Sequence, residues 1–209
     1  MCGICGEISR DGSPPSLSAV AAMMDVLQPR GPDGSGLVAH GNAAFGHRRL
    51  RIIDLTEKAR QPMVDSALGI TIAFNGCIYN YPELRRELET LGYTFFSGGD
   101  TEVIVKAWHA WGEKCVERFH GMFAFVLQER DSGRIGMARD RFGIKPLYLA
   151  EDAKRVRFAS SLPALLAAGD VDKTLDPVAL HHYMSLHAVV PPPRTIVKGV
   201  RKLPPATIR

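Results

Sequence analysis

A cysteine follows the initiator methionine directly, in the sequence Met1-Cys2-Gly3. Because Cys2 is small, we expect Met1 to be removed, which leaves a thiol and a free α-amine on the same residue. An α-amine has a pKa of about 7.7–8.0, so a useful fraction is unprotonated at neutral pH. The amine can therefore act as the base for its own thiol, directly or through water. Taken alone, this position also suits a buried cysteine that behaves as a small hydrophobic residue.

Cys2 and Cys5 also form a C-x-x-C pair, which raises the alternatives of a metal site and a redox site. A zinc site needs a second pair of ligands, and Cys77, Cys115 and His181-His182 do not have that spacing. A thioredoxin-type motif needs a preceding strand, and no strand can precede residue 2. We therefore expect no metal site and interpret the four cysteines as thiols.

A glycine-rich loop, Ser97–Thr101, opens a predicted helix. Glycines at a helix N-terminus can bind phosphate. Here Asp100 stands where the phosphate would arrive and would repel it, and the loop contains no Walker lysine. Two interpretations remain: Asp100 caps the helix, or its carboxylate faces a cationic substrate.

Asn75-Gly76 follows the alternating apolar residues of Ile70–Phe74 and is predicted to form a turn after a strand. Such a turn can direct a backbone N–H and a side-chain amide toward one point, as in an oxyanion hole. An ordinary hairpin turn is the alternative. Three further polar residues, Arg30, Asp33 and Arg49, lie on predicted loops or strand ends.

Hydrophobic periodicity predicts the elements that must position these residues. Strands are expected at Ile4–Ile8, in a pair around Gly41-Asn42, at Ile70–Phe74, Met122–Glu129, Ile135–Arg139, Leu147–Ala150 and Arg155–Ala159. Helices are expected at Leu17–Leu27, Pro82–Leu91, Asp100–Trp111, Leu162–Ala168 and Pro177–His187. Strands joined by hairpins, with helices in separate blocks, predict an α+β fold with largely antiparallel sheets.

The composition is typical of a folded domain. The sequence has 209 residues, of which 45% are hydrophobic, enough for the core of one large domain or of a domain with a tail. The longest apolar stretches, Ala19–Met24 and Met122–Leu127, have six residues each, whereas a membrane-spanning helix needs about 20. Because the N-terminus also lacks the features of a signal peptide, we expect a cytoplasmic protein that does not enter a membrane.

Positive charge is concentrated at the C-terminal end of the chain. The formal net charge is +4, but residues 190–209 carry five cations and no acid, so the remainder has a net charge of −1. A nucleic-acid-binding protein should have a basic face on its folded part, and nothing in the sequence requires one. Since Pro191-Pro192-Pro193 begins this basic segment and Pro204-Pro205 lies near its end, we expect a linker or docking arm outside the core.

Seven short motifs follow one another along the chain. They are Met-Cys-Gly-Ile-Cys-Gly at 1–6, Arg30-Gly-Pro-Asp33, Gly46-His-Arg-Arg-Leu50, Asn75-Gly-Cys-Ile-Tyr-Asn80, Gly99-Asp-Thr-Glu102, Gly121-Met-Phe-Ala-Phe125 and Arg139-Asp-Arg-Phe-Gly-Ile-Lys-Pro-Leu-Tyr148. Their order resembles the glutaminase domain of class II glutamine amidotransferases, specifically the asparagine-synthetase type. The resemblance extends from residue 2 to about residue 205 and is far more specific than any single motif.

This resemblance implies an N-terminal-nucleophile hydrolase fold, in which two antiparallel sheets are stacked between helical layers. It also implies hydrolysis of glutamine to glutamate and ammonia through a cysteine thioester. The residues it assigns are Cys2 as the nucleophile, Asn75 and Gly76 as the oxyanion hole, Arg49 at the α-carboxylate of glutamine and Asp100 at its α-ammonium. Gly99 and Cys77 are expected among the substrate-binding residues, with Cys77 at the position of a family Glu that also contacts the ammonium. A guanidinium is well suited to a carboxylate because its N–H donors match the two oxygens.

Two positions depart from the family pattern. The family usually has Glu where this chain has Cys77, and Glu where it has Ser161. The segments Phe158–Leu166 and His187–Pro191 resemble a branch that amidates N-acetylglutaminylglutamine, an osmoprotectant dipeptide. Asparagine synthetase is the alternative within the family, and a regulatory domain with weakened catalysis is a further one. A nucleotide-binding enzyme that uses the Ser97–Thr101 loop is the alternative outside it.

In the family, ammonia travels to a C-terminal synthetase domain that activates a carboxylate with ATP. We therefore expect residues 1–190 to form the glutaminase domain and residues 191–209 to form a connector to a synthetase domain absent from this chain. The glutaminase domain needs no cofactor, whereas ATP and Mg are expected only for the synthetase domain. The expected partners are glutamine and that domain in cis, with neither nucleic acid nor membrane, and a homodimer is left open.

Overall fold

Two antiparallel β-sheets are the centre of the computed structural model, which describes all 209 residues. The strands are β1 (Gly3–Ser9), β2 (Gly34–His40), β3 (Ala43–Arg49), β4 (Met63–Asp65), β5 (Ile70–Ile78), β6 (Gly121–Glu129), β7 (Ile135–Arg139), β8 (Tyr148–Glu151), β9 (Arg155–Ala159), β10 (Arg201–Lys202) and β11 (Thr207–Ile208). The helices are α1 (Leu17–Leu27), α2 (Tyr81–Thr90), α3 (Asp100–Trp111), α4 (Leu162–Ala167) and α5 (Pro177–Ser185). The first sheet has the order β10-β8-β9-β1-β3-β2, and the second has the order β11-β7-β6-β5-β4.

Three apolar clusters define four layers. The central cluster lies between the sheets and takes side chains from β1, β3, β8 and β9 of the first sheet and from β5, β6 and β7 of the second. A second cluster joins the outer face of the second sheet to α2 and α3. A third joins the outer face of the first sheet to α1 and α4. The expected sandwich of two sheets between helical layers is therefore confirmed.

Strand β1 is buried along its whole length because β9 and β3 flank it on both sides. Its side chains alternate between the layers: Ile4 and Ile8 enter the central cluster, whereas Cys5 packs with α1. The register pairs Gly3 with Arg48 of β3. Cys2, which directly precedes β1, consequently lies beside the C-terminal end of β3.

Most of the predicted elements are present with small shifts at their ends, but Asn75-Gly76 is not a turn. Both residues lie inside β5, where Asn75 pairs with Ala124 and Gly76 pairs with Phe123. A Cβ atom on Gly76 would lie 2.3 Å from the carbonyl oxygen of Met122, so the absence of a side chain permits this close strand approach. The turn prediction was wrong because pairing with a strand distant in sequence overrides the local Asn-Gly preference.

Asp100 begins α3 but is not its N-cap, which is Gly99. The side chain of Asp100 accepts a hydrogen bond from the Ile78 backbone N–H at 3.0 Å. The capping interpretation is therefore corrected, since this carboxylate links α3 to the end of β5.

The basic C-terminal segment is part of both sheets. β10 pairs with β8 and β11 pairs with β7. Val200 and Leu203 are buried, the latter in the central cluster. The prediction that residues 191–209 lie outside the core is therefore wrong, because their backbone and apolar side chains complete the sandwich. Their role as a connector to another domain stays a prediction.

None of the helices combines the length and hydrophobicity needed to cross a bilayer.

Gly6→Ala should lower the free energy of unfolding by about 1–3 kcal/mol, as expected for overpacking. The new methyl group would lie 2.5 Å from both the Ala44 carbonyl oxygen and the Phe158 ring. Urea denaturation measures this loss. Gly34→Ala is the control, because its Cβ would have its nearest neighbour at 3.8 Å and the expected change is within about 0.5 kcal/mol. Equal losses in the two variants would contradict the tight packing around β1.

Candidate active site

One cavity of about 260 Å³ is lined by all seven residues that the sequence assigned to a site. They are Cys2, Arg49, Asn75, Gly76, Cys77, Gly99 and Asp100. The cavity lies where the start of β1, the end of β3 and the end of β5 meet. It is also lined by residues for which the sequence predicted no role in the site, among them Asp54, Gln61, Thr101, Met122 and Lys145.

The thiol of Cys2 is half-buried against the backbone of Leu50. Its Sγ lies 3.4 Å from the Leu50 N–H nitrogen, which donates to it, and 3.6 Å from the Leu50 carbonyl oxygen, to which the S–H donates. Burial raises the pKa of this thiol, and the positive charges of the chain N-terminus and Arg49 only partly oppose that effect. The thiol is therefore neutral near pH 7 and needs a base before it can act as a nucleophile.

Arg30 fixes the backbone next to this thiol, since its Nε donates to the Cys2 carbonyl oxygen at 3.1 Å. The same loop contains Asp33, whose carboxylate accepts from the Arg51 backbone N–H at 2.9 Å. Between them, Gly31 approaches Arg48 so closely that a Cβ would lie 2.3 Å from its carbonyl group. The segment 30–33 thus orders the backbone of Cys2 and that of residues 48–51 at the end of β3.

Asn75 contributes a hydrogen-bond donor that nothing in the protein uses. The residue is 1% exposed, and its Nδ2 has no hydrogen-bond partner. Leaving a buried polar group unpaired costs about 1–3 kcal/mol. A donor kept in this state on the wall of a cavity is suited to an acceptor atom of a ligand.

Arg49 ends β3 and is buried, with a guanidinium bound to the loop that follows. Its Nη1 donates to the Thr56 carbonyl oxygen at 2.9 Å, and its Nη2 donates to the Asp54 carbonyl oxygen. The Asp54 carboxylate in turn accepts from the Gly98 backbone N–H at 2.7 Å. Because guanidinium has five N–H donors, others remain available to a carboxylate in the cavity.

Asp100 and Cys77 line the cavity together. Burial raises the pKa of the Asp100 carboxyl to about 6, even though the backbone N–H of Ile78 stabilises its charged form. Burial and the nearby Asp100 raise the pKa of the Cys77 thiol, with Lys145 acting in the opposite direction. Cys77 is therefore an uncharged thiol at neutral pH, so Asp100 carries the negative charge at this part of the wall.

A buried network fixes the loop before α3. Glu102 is fully buried and accepts from the backbone N–H groups of Phe96 and Ser97, the latter at 2.7 Å. Lys106 lies 3.7 Å from Glu102 and forms an ion pair with Asp65. The sequence analysis assigned no role to these three charged residues, and only Glu102 had a signal, its place in the Gly99–Glu102 motif.

The same network argues against a phosphate site in the glycine-rich loop. The N–H of Ser97 is taken by the Glu102 carboxylate, and the N–H of Gly98 is taken by the Asp54 carboxylate. Two carboxylates thus occupy two of the backbone donors of this loop and add negative charge there, which disfavours a phosphate. Across the structure, no group of three or more His, Cys, Asp or Glu side chains converges as metal ligands would.

Two residues without a predicted role connect the elements of the site. Gln61 accepts from the Phe74 backbone N–H at 2.7 Å and donates to the Thr101 hydroxyl at 3.3 Å, which joins β5 to α3. Lys145 is buried, and its ammonium donates to the Met1 sulfur at 3.2 Å. Only Lys145 had a signal in the sequence, its place in the Arg139–Tyr148 motif.

This chain is similar to known proteins of one family. The chain matches the model of a family described as glutamine amidotransferase domain over residues 1–209. It is 34% identical over 209 residues to asparagine synthetase [glutamine-hydrolyzing] 3 of Bacillus subtilis (strain 168), covering 99% of this chain and 34% of that protein. It is 38% identical over 210 residues to asparagine synthetase [glutamine-hydrolyzing] 1 of the same organism, covering 99% and 33%. The chain thus spans about a third of the length of these relatives.

Solved structures share the fold. A glutamine phosphoribosylpyrophosphate amidotransferase from B. subtilis, complexed with ADP and GMP, superposes with a TM-score of 0.67 at 21% identity, covering 80% of this chain and 44% of that one. An allosteric regulatory enzyme of purine biosynthesis superposes with a TM-score of 0.68 at 22% identity, covering 80% and 43%. At this identity the likeness concerns the fold alone, and it confirms the expected N-terminal-nucleophile hydrolase fold.

Asp100→Asn should remove the contribution of the Asp100 carboxyl to the pH dependence of the free energy of unfolding. Between the ordinary pKa of an unfolded Asp, near 3.9, and the folded value of about 6, the folded protein binds a proton that the unfolded chain has lost. Stability therefore falls as pH rises through this window, by about 3 kcal/mol at most. Urea denaturation between pH 4 and pH 7 measures this contribution as the stability of the parent protein minus that of the variant, and this difference should fall as pH rises. Buried His47, whose pKa burial lowers to about 4, contributes a rise in the same window to both proteins and therefore cancels in the difference.

The control for this experiment is Asp25→Asn, whose side chain is exposed on α1. It should keep the pH profile of the parent protein. Parallel profiles for the parent protein and Asp100→Asn would show that folding does not raise the pKa of the Asp100 carboxyl.

Proposed function

This chain belongs to the family of glutamine amidotransferase domains, and we propose that it hydrolyses glutamine to glutamate and ammonia through a thioester on Cys2. The observation that carries the proposal is the unpaired, buried Nδ2 of Asn75 on the wall of the cavity that also contains the Cys2 thiol. A nucleophile and a preorganised donor in one cavity are the two groups that acyl transfer requires.

The first step uses the α-amine that removal of Met1 creates. The amine accepts the proton of the Cys2 thiol, which burial keeps protonated at rest. The thiolate then attacks the side-chain carbonyl carbon of glutamine, and the negative charge that develops on the carbonyl oxygen is stabilised by Asn75, with Gly76 assigned to the same oxyanion hole. The protonated amine returns its proton to the leaving nitrogen, so that ammonia departs and a thioester remains. Water hydrolyses the thioester to glutamate.

The charged side chains of the cavity orient glutamine for this attack. Arg49 binds the α-carboxylate through guanidinium donors that its loop does not use. Asp100 binds the α-ammonium, and the positive charge of the substrate favours the ionised form of this carboxyl. Gly99, as the N-cap of α3, lets the chain approach the substrate without a side chain. Cys77 completes this end of the site as a weak acceptor.

We also propose that the ammonia is used by a C-terminal synthetase domain in the same protein, which amidates a carboxylate with ATP and Mg. Support comes from the relatives named as glutamine-hydrolysing asparagine synthetases, which are about three times as long as this chain. The segments Phe158–Leu166 and His187–Pro191, which resemble the branch that amidates N-acetylglutaminylglutamine, favour that dipeptide as the acceptor. Asparagine synthesis is the second candidate, and the names of the curated relatives favour it.

Cys2→Ala should abolish the formation of glutamate from glutamine, because it removes the assigned nucleophile, and the Cys77 thiol of the same cavity has no α-amine of its own to act as a base. Cys5→Ala is the matched control and should keep most of the activity. Cys5 is buried against α1, where burial raises the pKa of its thiol to about 12, so it is not a nucleophile. Glutamate release and intact mass should be measured on the same samples. Protein that retains Met1 should be inactive, since its Cys2 nitrogen is an amide, and full activity in such a sample would contradict the proposal.

Cys77→Glu should lower the KM for glutamine with little change in kcat. A carboxylate at this position would add a charge-assisted bond to the substrate ammonium, worth about 1.5–3 kcal/mol or roughly 10- to 150-fold in affinity. We expect the low end of this range because the site is partly solvated and the nearby Lys145 competes for the new carboxylate. Steady-state kinetics measures both constants, and unchanged kcat indicates restored ground-state binding.

Cys77→Gln is the control for this measurement, since it has nearly the shape of glutamate without its charge. It should leave KM close to that of the parent protein. A KM that does not fall in Cys77→Glu would mean that the ammonium site is not at Cys77 and Asp100.

A further inference from the structure

An apolar surface covers α5 and the turn after it. Of the nine residues of α5, only Ala179 is buried. Six large apolar side chains are between 41% and 76% exposed: Val178, Leu180, Tyr183, Met184, Leu186 and Val189. Leu180, Tyr183 and Met184 are spaced three and four residues apart, so they share one face of the helix. We call these six side chains the α5 surface.

A basic rim borders the α5 surface. Asp176 caps α5 by accepting from the Val178 and Ala179 backbone N–H groups, and it forms an ion pair with Arg194. Next to this pair is a second cavity, of about 460 Å³, whose lining includes Lys198 and Arg201. Neither of these two cations forms an ion pair within the chain. The apolar side chains therefore have unpaired positive charge at their edge.

An apolar centre with a charged rim is typical of a protein–protein interface, whereas monomeric proteins rarely leave such a patch uncovered. We propose that the α5 surface is the docking face for the synthetase domain that follows this domain in the same protein. In the curated relatives, the part that this chain does not match is about twice as long as the part that it matches, so those proteins contain a covalently joined partner of sufficient size. The proposal rests on the presence of that domain and is independent of the glutaminase chemistry.

Charge favours this partner over a second copy of the same chain. The cavity at this rim is lined by three cations, Arg194, Lys198 and Arg201, and by one carboxylate, Asp176, which is already paired with Arg194. If two α5 surfaces met, the net positive charge of both rims would lie at one shared interface. Segment 190–209 contains no acidic residue that could supply a further carboxylate. A different domain with acidic residues opposite this rim avoids the repulsion and pairs the charges.

Hydrogen exchange tests the docking face in the longer gene product, compared with the 1–209 chain. Docking should slow the exchange of the backbone amides of residues 178–189 about tenfold or more in the longer protein, because local opening then requires undocking. Met184→Lys should abolish that protection by placing an ammonium in the apolar centre. The control is Leu91→Lys, which changes another exposed apolar side chain, at the end of α2, and should leave the protection intact.

Glutamine hydrolysis, measured on the same samples, separates this proposal from the proposed function. Protection without hydrolysis would support the docking face and remove the enzymatic assignment. Equal exchange in the two proteins, or a gene product without residues after 209, would overturn the docking face. Dimerisation of the 1–209 chain that Met184→Lys abolishes would overturn it as well, by assigning the surface to a second copy.

Discussion

The antiparallel pairing of β1 with β3 is the constraint on which the site depends. It places the residue before β1 beside the residues that end β3, so that Cys2 lies against Leu50 and close to Arg49. A slip of one residue would move every side chain of β1 to the opposite face. Such a slip is prevented because Ile4 and Cys5 fill different apolar clusters on the two sides of the sheet. The position of the thiol is thus set by the core and not by a flexible terminus.

The second sheet supplies the other half of the site through a close approach of strands. His47 of β3 contacts the Phe74 carbonyl oxygen of β5 at 3.0 Å, which ties the sheets together just beneath the cavity. The following residue, Asn75, lines the cavity with an unpaired amide nitrogen. Asp100 also lines the cavity, and burial raises the pKa of its carboxyl. Both features destabilise the resting fold. The buried network centred on Glu102 fixes the loop that leads to Asp100, and groups that destabilise the resting fold are common where a site must be ready for a ligand.

Local patterns predicted most of the fold and the composition of the site, for reasons visible in particular residues. Alternating apolar residues predicted β5, and the ordered motifs indicated that Cys2 and Asn75 belong to one site. The patterns gave wrong predictions, or none, where contacts between residues far apart in the sequence determine the structure. Asn75-Gly76 prefers a turn in isolation but lies in a strand because β6 pairs with it. The proline-rich tail, including Leu203, lacks a strand pattern but completes both sheets. Links such as that of Gln61 to Thr101 span 40 residues and have no signature in either segment.

Mass spectrometry after reaction with an electrophilic glutamine analogue tests the chemistry assigned to Cys2 most directly. We predict a single adduct on a peptide that begins with Cys2, in protein that has lost Met1, and we predict that excess glutamine protects against it. Cys77 lines the same cavity and is the internal comparison. An adduct on Cys77 with Cys2 unmodified, or complete labelling of protein that retains Met1, would contradict the assignment of Cys2 and its amine as nucleophile and base.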